Sequence, residues 1–245
     1  MKKNIIVLML VAITLIIIFQ VTKETNPDAI IFKDSNLERV IGEKLNIPRG
    51  DILKSDLEEI TELRAQGKGI KKLEGIEYLV NLEQLFLERN EISDLEPLSK
   101  LDKLELLFLQ YNEIDDISQL ANLTNLEHLV IGYNKIDDIS PLANLTNLIS
   151  LSMSHNRIES LEPLSQLINL EGLLAHNNKI EDLSPLANLT NLWELVLSSN
   201  QITDISPLSE LKNLKTLKLG RNQISNFLPL EDNLSSIPTL ELKPQ

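Results

Sequence analysis

The chain has no cysteine. That removes disulfides, thiolate metal sites, cysteine nucleophiles and a lipid-modified cysteine together. Aromatic residues are only 4% of it, so its core must be aliphatic. Basic residues are outnumbered 36 to 23 by acidic ones, a net charge of −13, and a nucleic-acid surface needs the opposite sign. No phosphate loop, nucleophile elbow or distinct acid–base pair stands out. The expectation is therefore no enzyme, no catalytic residue, no metal and no cofactor. What is abundant is aliphatic: hydrophobic residues make up 42% of 245 positions, enough for a large core.

At the N-terminus, residues 5–19 are apolar with Thr14 the one polar member, behind Lys2 and Lys3. That is the layout of an export signal. Fifteen residues is short for a spanning helix, which needs about 20. The following FQVTKETNPDA shows no clear small-residue cleavage site. Residues 1–21 are thus read as an N-terminal membrane anchor or a cleaved signal. Either places the rest outside the cytoplasm, anchored or secreted. Residues 22–31 read as a linker.

The rest repeats. Asn90, Asn112, Asn134, Asn156, Asn178, Asn200 and Asn222 are each twenty-two residues apart, inside L-x-x-L-x-L-x-x-N-x-I-x-D-L/I-x-P-L-x-x-L. A degenerate first copy has Leu63, Ala65, Ile70 and Leu73 in register, with Lys68 in place of Asn. Eight repeats then span 59–234, the signature of a solenoid. The L-x-L period of two predicts a short strand with its leucines inward. Asn is expected to satisfy backbone groups of the bend that follows. Asp94, Asp116, Asp138, Ser160, Asp182, Asp204 and Asn226 are turn formers, and proline follows in all of these repeats but one, where Gln119 stands. The aspartate pairs 115–116 and 137–138 are read as turns rather than calcium loops, since no D-x-D-x-D-G is present. One repeat cannot bury enough by itself, so the coils must stack. The expected fold is an α/β solenoid, a leucine-rich-repeat horseshoe with a parallel sheet on its concave face.

The ends need covers. Residues 32–58 read as a helical N-terminal cap, with Ser35 and Glu38 as a capping box and Ser55-x-x-Glu58 starting a second turn. Residues 235–245 read as a C-terminal cap or tail.

This grammar resembles the internalin family of bacterial leucine-rich-repeat proteins. So does its entry: Phe32, Asp34, NLERVIGEKLNIPRGDI, then LRAQGKGIKKLEGIEYLVNLEQL. The resemblance covers about 32 to 234. It implies a secreted or surface-attached protein that binds proteins through its concave face. No immunoglobulin-like segment, wall-sorting motif or wall-binding module is read after the repeats, which leaves the expectation of a small exported binding module.

Between the leucines, the variable positions should face the concave surface. Phe86, Phe108, Val130 and Leu174 lie in one column and Leu106 and His128 in another; Tyr111, Tyr133 and His155 follow the strands, and His176 sits beside them. These ten residues are the candidate site for a protein or peptide ligand, because an exposed aromatic patch on a sheet marks an interface. Replacing Phe108 and Tyr111 should then remove binding and leave stability intact. The chain is expected to act as a monomer, touching a membrane only through its N-terminus. Two other readings stay open: a membrane-tethered structural protein of the envelope, and an intracellular module like the leucine-rich-repeat regulators of phosphatases.

Overall fold

Alternation of leucine with one variable residue produces strands of only three residues, one per coil. A computed structural model of the chain describes residues 26–47, 50–230 and 237–242. The apolar segment 1–21 lies outside the described residues. Among the described ones, no helix is long and apolar enough to cross a membrane.

Among the described residues nine strands follow one another: β1 (Glu62–Arg64), β2 (Gln84–Phe86), β3 (Leu106–Phe108), β4 (His128–Val130), β5 (Ser150–Ser152), β6 (Gly172–Leu174), β7 (Glu194–Val196), β8 (Thr216–Lys218) and β9 (Thr239–Glu241). They form one parallel sheet in sequence order. Leu85 stands opposite Leu107, which stands opposite Leu129, so the sequence period is the register. Each strand returns through a loop and a short 3₁₀ turn such as Glu96–Leu98 or Ser140–Asn144. Between strand and return lies the core. In the third coil Leu101, Leu104, Leu107, Leu109, Ile114, Ile117 and Leu120 are all at most 1% exposed. This is a leucine-rich-repeat horseshoe.

The repeated asparagine has a hydrogen-bonding basis. Each repeat asparagine bonds mainly outside its own coil. Asn112 accepts from the Ile92 N–H at 3.0 Å and donates to the carbonyls of Leu87 and Leu109, each at 3.0 Å. Asn90, Asn134, Asn156, Asn178, Asn200 and Asn222 repeat the pattern. The amide therefore ties a bend to the coil before it, which the sequence pattern had placed only within the bend. A second ladder runs along the outside: Asn125, Asn147, Asn169, Asn191 and Asn213 each donate to a carbonyl twenty-three residues earlier.

The turn column behaves as its composition suggests. Asp116, Asp138, Asp182 and Asp204 accept the N–H of a serine two residues on. Those bonds, together with the serine hydroxyls, which contribute most at Asp182, hold Asp116, Asp182 and Asp204 below the usual carboxylate pKa. Gln119 does not break the scheme, because the 3₁₀ turn Ser118–Asn122 forms without proline.

At the N-terminal end, α1 (Ser35–Lys44) lays Leu37, Val40 and Ile41 on the first coil, and α2 (Lys54–Leu57) buries Leu57. Here the structure corrects two capping residues. The N-cap of α1 is Asp34, not Ser35: its carboxylate takes the N–H groups of Asn36 and Leu37. Its other oxygen takes those of Lys71 and Lys72, at 2.7 and 3.2 Å, so one side chain caps the helix and clamps it to the repeats. Partial burial works to raise its pKa, but these four donors outweigh that and hold it low. For α2 the acid that reaches back is Asp56, to the Leu53 N–H at 2.8 Å, rather than Glu58. In both cases the acid that wins is the one whose carboxylate meets free N–H groups at the start of the turn.

A concave surface with an aromatic rim

Period two puts the residues between the leucines on the open face of the sheet. Gln84, Leu106, His128, Ser150, Gly172, Glu194 and Thr216 line up in one row, and Phe86, Phe108, Val130, Ser152, Leu174, Val196 and Lys218 in the next. Alternation continues one step past the strand, so Glu88, Gln110, Gly132, Ser154, His176 and Ser198 form a third row. The sequence reading singled out His176 from that row but not the row itself.

The fourth row has an unforeseen backbone. Arg89, Tyr111, Tyr133, His155, Asn177, Ser199 and Arg221 all have positive φ, between 55° and 61°. In the first coil a glycine, Gly67, does this with φ 63°. Left-handed backbone disfavours residues with a Cβ by roughly 1–2 kcal/mol. It recurs here because each N–H must reach the next coil: Tyr111 N–H bonds the Gly132 carbonyl at 3.0 Å and Tyr133 N–H the Ser154 carbonyl at 2.8 Å.

The result is a stack. Tyr111 and Tyr133 lie face to face with ring centres 4.1 Å apart. Tyr133 and His155 stack at 3.9 Å, and His155 meets His176 edge-on at 5.1 Å. Arg89 closes the other end, 5.0 Å above the Tyr111 ring. The neighbouring Tyr111 hydroxyl, with some burial, raises the Tyr133 pKa. Both tyrosines stay 41% exposed. Inside this rim Phe86 and Phe108 meet edge to face at 5.1 Å, with Arg64 4.1 Å above Phe86. Phe86 is only 7% exposed. Leu106, His128, Val130 and Leu174 are half-buried on the floor. The structure thus brings Tyr111, Tyr133, His155 and His176 into one strip and Phe86 with Phe108 into another. Trp193, at the opposite rim just before β7, donates to a Glu171 carboxylate oxygen at 3.2 Å.

Burial lowers the pKa of His155, and burial followed by the charges of His155 and Lys218 lowers that of His176. Both are therefore neutral near pH 7. The His176 Nδ1 is 2.7 Å from the Ser154 hydroxyl, and the His155 Nε2 is 3.1 Å from the Asn177 amide. Above the unfolded value near 6.5 the pair has no effect on stability. As pH falls below it the unfolded chain takes protons first, so stability drops toward the folded values. A His155→Gln/His176→Gln variant should show a flatter fall in melting temperature between pH 7 and 5 than the parent. Equal slopes in the two proteins would contradict this origin.

In charge, the middle of the face is unlike the chain. Over β3 to β6 the four rows offer sixteen positions, from Leu106 to Asn177, and none is Asp, Glu, Lys or Arg, although these make up 24% of the chain. The acidity lies elsewhere.

The family model of leucine-rich repeats (2 copies) matches residues 102–144, 146–188 and 190–238. Among solved structures, internalin C2 from Listeria monocytogenes is 37% identical, covering 90% of this chain and 99% of that one with a TM-score of 0.84. A second internalin from the same species, InlF, is 35% identical, covering 91% of this chain and 86% of that one with a TM-score of 0.48. The leucine-rich-repeat ectodomain of the plant membrane receptor kinase GASSHO1 from Arabidopsis thaliana, in complex with Casparian strip integrity factor 2, is 23% identical. It covers 78% of this chain and 25% of that one with a TM-score of 0.67, and shares the fold alone. No curated protein matches the chain.

Proposed function

This chain belongs to the internalin-like leucine-rich-repeat proteins, and from that premise we propose that its concave face is the docking surface for a protein or peptide ligand. The fold supports a protein–protein interaction module. The observation that carries the finer reading is the sixteen-position charge-free field bounded by the Tyr111–Tyr133–His155–His176 strip. Interface cores are distinguished by depleted charge and enriched aromatics rather than by bulk apolarity. Tyrosine also offers rigid contact area with little rotamer entropy to lose. A catalytic reading gains nothing from the Ser154–His176 contact, because Ser154 is 3% exposed and its hydroxyl serves to orient the imidazole.

The test is selection of displayed random peptides on the full chain, followed by affinity measurement on a Tyr111→Ala/Tyr133→Ala variant. Selected peptides that bind the variant undiminished would remove the concave face from consideration.

We place this surface outside the cytoplasm, as a recognition module held by or released from the membrane, on the strength of Lys2, Lys3 and the apolar residues 5–19. Protease added to intact cells stripped of wall or outer membrane should digest the repeats without lysis. Protection until lysis would favour the intracellular alternative.

A further inference from the structure

Two acceptor atoms on the concave face are buried without a donor: Oε2 of Glu88 and Oε1 of Gln110. They belong to adjacent coils of the third row, where the Arg89 N–H bonds the Gln110 carbonyl at 2.9 Å. A buried carboxylate oxygen with no hydrogen bond destabilises a fold, and such atoms are few in native structures. Among the described residues one more occurs, Oε1 of Gln119, in the return arm where most coils have proline. That one lies on the return arm beside Asp116, away from the concave face. Glu88 and Gln110 face the concave side with Phe86, Phe108 and Tyr111.

The surroundings specify the missing donor. A carboxylate oxygen and an amide oxygen both accept hydrogen bonds, and a cationic donor gives the carboxylate the stronger, charge-assisted kind. Ring faces attract the same charge. Two rings of this cluster already show it, with the Arg64 guanidinium over Phe86 and that of Arg89 over Tyr111. The chain's net charge of −13 would draw a cationic partner in from a distance.

We propose that Glu88 and Gln110 form a subsite for one arginine or lysine side chain of the protein or peptide ligand, whose N–H groups bond the two orphan oxygens beside the phenylalanine pair. This rests on the concave face being the docking surface. Glu88 is then a residue kept for binding at the expense of the empty fold, a common arrangement at functional sites.

The experiment uses peptides selected from a displayed random library on the full chain. Each is synthesised with its arginine or with uncharged citrulline at the same place. On the parent protein the arginine form should bind at least tenfold more tightly, the scale of a charge-assisted hydrogen bond. Glu88→Gln should abolish that preference without lowering the melting temperature. Glu181→Gln, on the exposed acidic outer surface, should leave it unchanged. Three results would overturn the subsite. One is a preference for arginine that survives Glu88→Gln, which assigns it to diffuse charge. Another is a melting temperature several degrees lower with affinity intact, which makes Glu88 structural. The third is a set of peptides that lose binding with Tyr111→Ala/Tyr133→Ala yet contain no cationic residue, which leaves the docking face standing without this subsite. Peptides indifferent to the tyrosine variant would remove the docking face as well.

Discussion

Asn112→Ala should lower the unfolding free energy by roughly 2–5 kcal/mol, a large effect for one side chain. The substitution removes no apolar contact of consequence. It strands the Ile92 N–H inside the solenoid, where water cannot replace the amide, and takes one of two donors from each of the Leu87 and Leu109 carbonyls, which keep Asn90 and Asn134. The unmatched N–H costs about 1–3 kcal/mol and each lost bond to a carbonyl about 0.5–1.5 kcal/mol. Because those groups belong to two coils, the loss also weakens the interface on which neighbouring repeats depend, and stability in such an array is a sum of coils and their interfaces. Asn112→Asp should fare little better at neutral pH, since a carboxylate cannot donate to the two carbonyls. The comparison is Asn147→Ala, which removes a single exposed bond to the Thr124 carbonyl and should cost about 1 kcal/mol or less. Chemical denaturation of the three variants decides the matter. Similar losses for Asn112→Ala and Asn147→Ala would mean the inner ladder is ornamental.

Loss of ligand affinity by 100-fold or more is the expected result for Tyr111→Ala/Tyr133→Ala, since buried aromatic anchors in an interface each contribute about 2 kcal/mol or more on truncation. The same variant should lose only about 1 kcal/mol of stability, the scale of a ring–ring contact beyond its burial. Both rings are 41% exposed, and alanine inherits the same left-handed backbone, so no new strain arises. The pairing of Phe108 with Tyr111 suggested by the sequence is the poorer choice. Phe108 packs edge-on against the nearly buried Phe86, so removing it uncovers apolar surface and confuses a binding loss with a folding loss. Titration calorimetry with a selected peptide, set beside thermal melts, separates the two quantities. Unchanged affinity in a folded variant would place the ligand elsewhere on the solenoid.

How much of this was legible beforehand differs from element to element. The twenty-two-residue spacing of Asn90 to Asn222 carried the parallel sheet, its register and the inward leucines, because burial and side-chain alternation are written into local pattern. The same alternation put Phe86 and Phe108 on the concave face, whereas Tyr111 and Tyr133 have the parity of the inward leucines and reach that face through their left-handed backbone. The helix caps were less secure. Ser35 and Asp34 are adjacent and equally plausible, and what separates them is a contact with Lys71 and Lys72, nearly forty residues away. The row holding Glu88 and Gln110 was passed over because the leucine pattern ends at Leu87, although the backbone alternates once more.

By itself, then, the sequence determined the architecture and the face, since both follow from which residues avoid water at a fixed period. Only the tertiary structure decided who touches whom on that face. The stack from Arg89 to His155 exists because backbone N–H groups must reach the next coil, which turns φ positive at every step and brings side chains twenty-two residues apart within about 4–5 Å of one another, and His176 joins it from the neighbouring row. No one-dimensional pattern of tyrosine, histidine and arginine carries that information, because those residues do not favour left-handed backbone; the hydrogen bonds of the solenoid impose it on them.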